Sequence, residues 1–179
     1  MRAPLDADRL RRFIDALGRA SMGPGTVFLT GGATAVLEGW RESTVDVDLK
    51  LDPEPPGAFE AIARLKDELD VNVELAAPDQ FIPALAGWRD RSQLVAEVAG
   101  VVFRHYDYYA QALAKLERGH GRDISDVEAM VERGLVDVDR LLEFFEGSKP
   151  ELIRYPAIDA HAYTESVEDL VRRRGRRAP

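Results

Sequence analysis

The sequence predicts an α+β protein, with strands through the middle of the chain and helices at its end. Three observations carry that prediction. Apolar and polar residues alternate strictly in VDVDLKLD (45–52) and again in VNVELA (71–76), the period-two mark of a half-buried strand. Leu10, Phe13, Ile14 and Leu17 recur at helical spacing near the start. From about residue 107 onward the apolar pattern is helical throughout. The 179 residues, 45% of them hydrophobic, suffice for one well-cored domain with a small helical annex. The expected organisation is an α/β core over 1–106, a helical section over 107–171 and a basic, disordered tail over 172–179.

In chain order, residues 6–19 form the first helix, with Asp6 or Asp8 as N-cap, and SMGPG breaks it. TVFLT (26–30) is a short buried strand. GGATAVLEG then makes a tight turn into a short helix ending near Gly39. Along 45–52, Val45, Val47, Leu49 and Leu51 share one face, and Asp46, Asp48, Lys50 and Asp52 the other. DPEPPG punctuates. Residues 58–69 are an amphipathic helix through Phe59, Ile62, Leu65 and Leu69. In the next strand Val71, Val73 and Leu75 oppose Asn72, Glu74 and Ala76. QLVAEVAGVVFRHY (93–106) reads as two strands about Ala99-Gly100. Asp107 caps the helix of YYAQALAKLERG, and Asp123 that of ISDVEAMVERG. DVDRLLEFFEG is a third C-terminal helix, and TESVEDLVRRR a fourth, opened by Thr164 or Ser166.

The charge pattern narrows the partners. The net charge is −8, yet five arginines crowd VRRRGRRAP. Without them 19 basic residues face 32 acidic ones, a charge of −13 over residues 1–171. Such a body is a poor non-specific binder of nucleic acid, and only the tail offers a basic surface. There is no cysteine, hence no disulfide and no thiolate metal site. No apolar run reaches the roughly 18 residues of a membrane span, and MRAPLDADRLRRF lacks the apolar centre of a signal peptide. A cytoplasmic protein without a membrane partner is expected.

The chemistry concentrates in LTGGATAVLEGWRESTVDVDLKL (29–51). Asp46 and Asp48, two apart on a strand, point to the same side about 6.5–7 Å apart. Aspartate is depleted in strands, and adjacent like charges repel. Either the strand wets a polar face, or a divalent cation removes the repulsion. Hard oxygen donors suit Mg²⁺ or Mn²⁺, which take one or two carboxylates, waters and substrate phosphates. Gly31-Gly32 is either a plain tight turn or a place where backbone N–H groups approach an anion at a helix start. Together, strand, Gly-Gly, short helix and acidic strand describe one site for a metal–nucleotide complex. No Walker-type P-loop occurs in the chain.

LTGG followed thirteen residues later by DVDL resembles the signature of the DNA polymerase β-like nucleotidyltransferase superfamily. The RESTVDVDL context looks more specifically like the bacterial AbiEii/MenT-type and related nucleotidyltransferase-like proteins, many of which belong to toxin–antitoxin systems. The resemblance covers roughly residues 27–133. It implies a small mixed sheet flanked by helices, and Mg²⁺-dependent transfer of a nucleoside monophosphate from an NTP to an RNA (tRNA) or protein hydroxyl. A cognate toxin or antitoxin partner is implied, and so is the alternative of an inactive, antitoxin-like binding protein.

On that resemblance Asp46 and Asp48 are catalytic metal ligands. The third carboxylate is Glu74, on the polar face of the next strand, or Asp79 in the following loop, or absent. ALAKLERGHGRDISDVEAM supplies Lys115, Arg122, Asp123 and Asp126. Lys115 is a point charge on the triphosphate or a solvated surface lysine, and Asp123 orients Lys115 or caps its helix. Arg41 and Thr44 contact a phosphate or ribose oxygen or serve only the strand start. Gly31 and Gly32 complete the nucleotide-binding set. Of the histidines only His105 lies on an expected strand, and it reads as a packed or surface residue rather than a base.

Overall fold

The computed structural model describes residues 3–175. Residues 3–77 together with Ser92–Tyr106 make one compact unit. Pro78–Arg91 and residues 107–175 make the other. The segment 78–91, read above with the α/β section, therefore goes with the helices.

The first unit is organised on a five-stranded mixed sheet of order β3-β2-β1-β5-β4. Its strands are β1 (Gly25–Thr30), β2 (Asp46–Leu51), β3 (Asn72–Glu74), β4 (Leu94–Val98) and β5 (Val101–His105). β1 is antiparallel to β2 and parallel to β5; β2 is parallel to β3, and β4 antiparallel to β5. The register sets Leu29 beside Leu49 and Val27 beside both Leu51 and Phe103. These side chains, with Val47 and Val73, form one buried face. Three helices cover it: α1 (Ala7–Ala20), α2 (Gly31–Leu37) and α3 (Ala58–Glu68). They contribute Leu10, Phe13, Leu17, Val36, Ile62 and Leu65, each worth about 1.5–3 kcal/mol of burial. By the alternation of the pleat, Asp46, Asp48, Lys50, Asn72, Glu74 and Arg104 lie on the opposite face.

Several sequence expectations are corrected here. Phe59 is exposed, because the inward stripe of α3 runs through Ala58, Ala61, Ile62 and Leu65 and Phe59 sits about 100° around the helix from Ala58. Val45 and Leu75 are exposed as well. Pairing starts at Asp46 on β2 and stops at Glu74 on β3, so neither residue has a sheet neighbour to cover it. Thr44 is not part of β2; it makes an isolated antiparallel bridge with Leu5.

The second unit contains a 3-10 turn (Pro78–Gln80), α4 (Trp88–Arg91), α5 (Tyr108–Arg118), α6 (Gly121–Glu132), α7 (Val138–Ser148), a 3-10 segment (Lys149–Arg154) and α8 (Ala160–Gly175). α5 packs against α6, α7 and α8. Asp107 caps α5 through a bond from the Tyr109 N–H, and its carboxylate also receives Arg91 at 2.7 Å. α8 opens at Ala160, not at Thr164 or Ser166. Asp159 accepts from the N–H groups of His161 and Ala162, whereas the two hydroxyls donate back to the carbonyls of Ala160 and Ala162 inside the helix. α8 also carries Arg172, Arg173 and Arg174, which the sequence assigned to a disordered tail. Arg173 pairs with Glu128 at 3.1 Å and Arg174 with Glu132 at 3.6 Å, both on α6. Arg176 and Arg177 lie outside the described residues. No described helix is long and apolar enough to cross a membrane.

Candidate functional site

Thr30 ends β1 directly opposite Asp48 of β2, so the turn after β1 meets the acidic strand. The chain turns there at Gly31, φ +60°, and enters α2. A Cβ on Gly31 would lie 2.6 Å from Asp48 Oδ2. One on Gly32 would overlap Thr44 Oγ1 and come within 2.8 Å of Thr44 Cβ. The two glycines thus admit two specific neighbours: the carboxylate of Asp48 and the side chain of Thr44. Thr44 Oγ1 donates to the Asp46 carbonyl at 3.1 Å, which ties the approach to β2 onto the same turn. Arg41 gives its backbone N–H to the Ala35 carbonyl at the C-terminal end of α2.

Asp46 and Asp48 are both half-buried on the polar face of β2. Across the parallel ladder Asp46 faces Asn72 and Asp48 faces Glu74. Asn72 Nδ2 donates to Asp46 Oδ1 at 2.6 Å and lies 3.5 Å from Glu74 Oε1. Asn72 was missed as a site residue. Its signal was present, since it shares the polar face of β3 with Glu74, but an amide carries no charge to draw attention. Glu74 is exposed, and among the described residues no three of His, Cys, Asp and Glu are grouped so as to hold a metal ion. Asp79 lies in the 3-10 turn of the second unit.

Lys115 and Asp123 also belong to the second unit, where they form a cluster of their own. Lys115 is 5% exposed, so it is not the solvated surface lysine. Its Nζ is 2.6 Å from Asp126 Oδ2 and 3.4 Å from Asp123 Oδ1. Arg118 donates to both Asp123 oxygens, at 2.6 and 2.8 Å. Burial by itself would raise the Asp123 pKa; the Arg118 hydrogen bonds and the charges of Lys115 and Arg118 outweigh it and hold the carboxyl below its usual range. Asp123 does not cap α6. That helix begins at Gly121 with His120 as N-cap, which places Asp123 in its first turn, facing α5.

The structure therefore brings Gly31, Gly32, Thr44, Asp46, Asp48 and Glu74 to one end and one face of the sheet, while Lys115 and Asp123 make a buried ion cluster between α5 and α6. The family described as "Nucleotidyltransferase of unknown function (DUF6036)" matches residues 9–170 of the chain. No curated protein matches it, and no solved structure does.

Proposed function

The chain belongs to the DUF6036 nucleotidyltransferases, and from that premise we propose that it moves a nucleoside monophosphate from an NTP to a hydroxyl of RNA, such as a tRNA end, or of a protein. The observation that carries this reading is the placement of Asp46 and Asp48 on one strand face, with Asp48 against the Gly31 turn. The donor set fits Mg²⁺ or Mn²⁺, which take one or two carboxylates and fill their remaining positions with water and phosphate oxygens. Asp46 and Asp48 would hold the ion, with Glu74 as the third carboxylate, in register with Asp48. Bound there, the ion neutralises phosphate charge.

The chain's own residues do the rest. Asn72 fixes the Asp46 carboxylate through its 2.6 Å bond. Gly31 and Gly32 let the backbone approach the triphosphate closely, and Thr44 borders that approach. The acceptor hydroxyl attacks the α-phosphate in line and pyrophosphate leaves. Nucleotide-binding roles for Lys115, Asp123 and Arg41, and membership of a toxin–antitoxin pair with a cognate partner, rest on the likeness of RESTVDVDL and of the Lys115 to Asp126 segment to AbiEii/MenT-type proteins.

A second reading is an inactive, antitoxin-like binding protein that keeps the fold. It is favoured by the exposure of Glu74 and by the lack, among the described residues, of three carboxylates or histidines placed together to hold a metal ion. Calorimetry with each NTP, with and without Mg²⁺ or Mn²⁺, separates the two, followed by labelled-nucleotide incorporation into tRNA and protein acceptors. Asp46→Asn and Asp48→Asn should abolish metal-dependent NTP binding and transfer. Their apo stability should stay unchanged or rise slightly as like-charge repulsion is lost. Absence of NTP binding at about millimolar concentration, a weak affinity of roughly −4 kcal/mol, would sink the transferase reading.

A further inference from the structure

His105 is the polar member of the buried face of β5, where it follows Val101 and Phe103 in the alternation and is 5% exposed. A histidine in that place needs partners for both ring nitrogens. Its Nδ1 lies 3.1 Å from Thr34 Oγ1 and its Nε2 3.2 Å from Glu38 Oε1. Thr34 and Glu38 are four residues apart, hence on one face of α2 and its C-cap. Burial, only partly countered by the Glu38 charge, lowers the ring's pKa to about 4. The ring is therefore neutral at pH 7. Its hydrogen sits on Nε2, because a carboxylate can only accept. Thr34 then donates to Nδ1, while the Leu29 carbonyl, 3.2 Å from the same hydroxyl, keeps the Tyr106 N–H at 2.8 Å.

The consequence reaches the Gly-Gly turn. In the β1–β5 register Leu29 stands beside His105, and Gly31 follows Leu29 by two residues. A short helix of seven residues is marginal by itself and takes its position from tertiary contacts. We propose that His105 is a positioning residue for the nucleotide site: by gripping Thr34 and Glu38 it fixes α2 on the sheet, and with it the Gly31-Gly32 turn against Asp48 and Thr44. This rests on the function proposed above. His105 itself touches no reacting group.

The test uses Thr34→Val and Glu38→Gln, which each loosen one side of the grip, together with His105→Ala and His105→Gln. Hydrogen exchange of the apo protein is read over residues 29–38 and over the rest of the first unit, and KM for NTP is read against kcat. The expected result is exchange about tenfold faster over 29–38 alone, the cost of one buried hydrogen bond. KM should rise more than kcat falls, and His105→Gln should recover part of what His105→Ala loses. Unchanged exchange and KM in Thr34→Val and Glu38→Gln would overturn the proposal. So would a uniform rise in exchange across the unit, the mark of lost core packing. If the wild-type protein binds no NTP, the functional reading fails, whereas the exchange pattern still decides whether His105 holds the turn.

Discussion

Gly31 and Gly32 meet their neighbours at distances that no Cβ tolerates: Asp48 Oδ2 at 2.6 Å for the first and Thr44 for the second. Gly31 also has φ +60°, a left-handed conformation that costs other residues about 1–2 kcal/mol. Gly31→Ala and Gly32→Ala should each lower the urea midpoint, by about 1–3 kcal/mol of stability. An unchanged midpoint would show that the turn relaxes away from Asp48 and Thr44. His105 supplies a pH signature. Its folded pKa of about 4 lies below the ordinary 6.5. Between those values the unfolded chain binds the proton more strongly, so stability rises with pH across the window and is lost as the pH falls. From pH 7 to pH 5 the loss from this group should be ~2 kcal/mol. Urea titrations at both pH values should show that part of the slope missing in His105→Gln; an identical slope in the variant would contradict the assignment.

At the scale of elements, the α5–α6 pair carries a group of four charges, three of them buried: Lys115 from α5 and Asp123 and Asp126 from α6, with the exposed Arg118 of α5 closing on Asp123. Removing one member of a buried pair leaves the other uncompensated, at a cost of about 3–5 kcal/mol. Lys115→Met should therefore be strongly destabilising, and Asp126→Asn added to it should recover part of the loss. A silent Lys115→Met in a chemical melt would mean that the cluster does not hold the helices together. This structural role also shapes the catalytic test of Lys115. A loss of transfer in Lys115→Ala counts as nucleotide contact only where circular dichroism and the urea midpoint show the helical unit intact.

At the scale of the whole molecule, ligand linkage connects the two carboxylates to global stability. A ligand that binds only the folded state stabilises it by about 2.7 kcal/mol at a hundred times its Kd. NTP with Mg²⁺ should raise the unfolding midpoint of the wild-type protein and leave that of Asp48→Asn where it was. An equal shift in both would place the nucleotide away from β2. The acidic body, −8 overall, adds that an RNA acceptor should bind weakly and with a shallow salt dependence, since arginines 172–174 carry its main positive run and two of them are engaged with α6, which leaves few cations to neutralise phosphates.

What the sequence by itself determined was local. Alternation in 45–52 and 71–76 located β2 and β3 and their polar faces, because side-chain direction in a strand depends only on parity. The LTGG to DVDL spacing pointed to a nucleotidyltransferase, which is how the family that the chain matches is described, and Asp107 announced the α5 cap. Only the tertiary structure decided the rest. That β3 lies parallel to β2, bringing Asn72 to Asp46 and Glu74 to Asp48, is a matter of pairing, which parity does not encode. That Lys115 is buried against Asp126 rather than solvated, and that His105 faces α2 from the end of β5, depends on contacts between residues 11 and 71 positions apart. A hydrophobic pattern registers the cost of burying a charge or an imidazole. The partner that offsets it is known only when the helices and the sheet are packed.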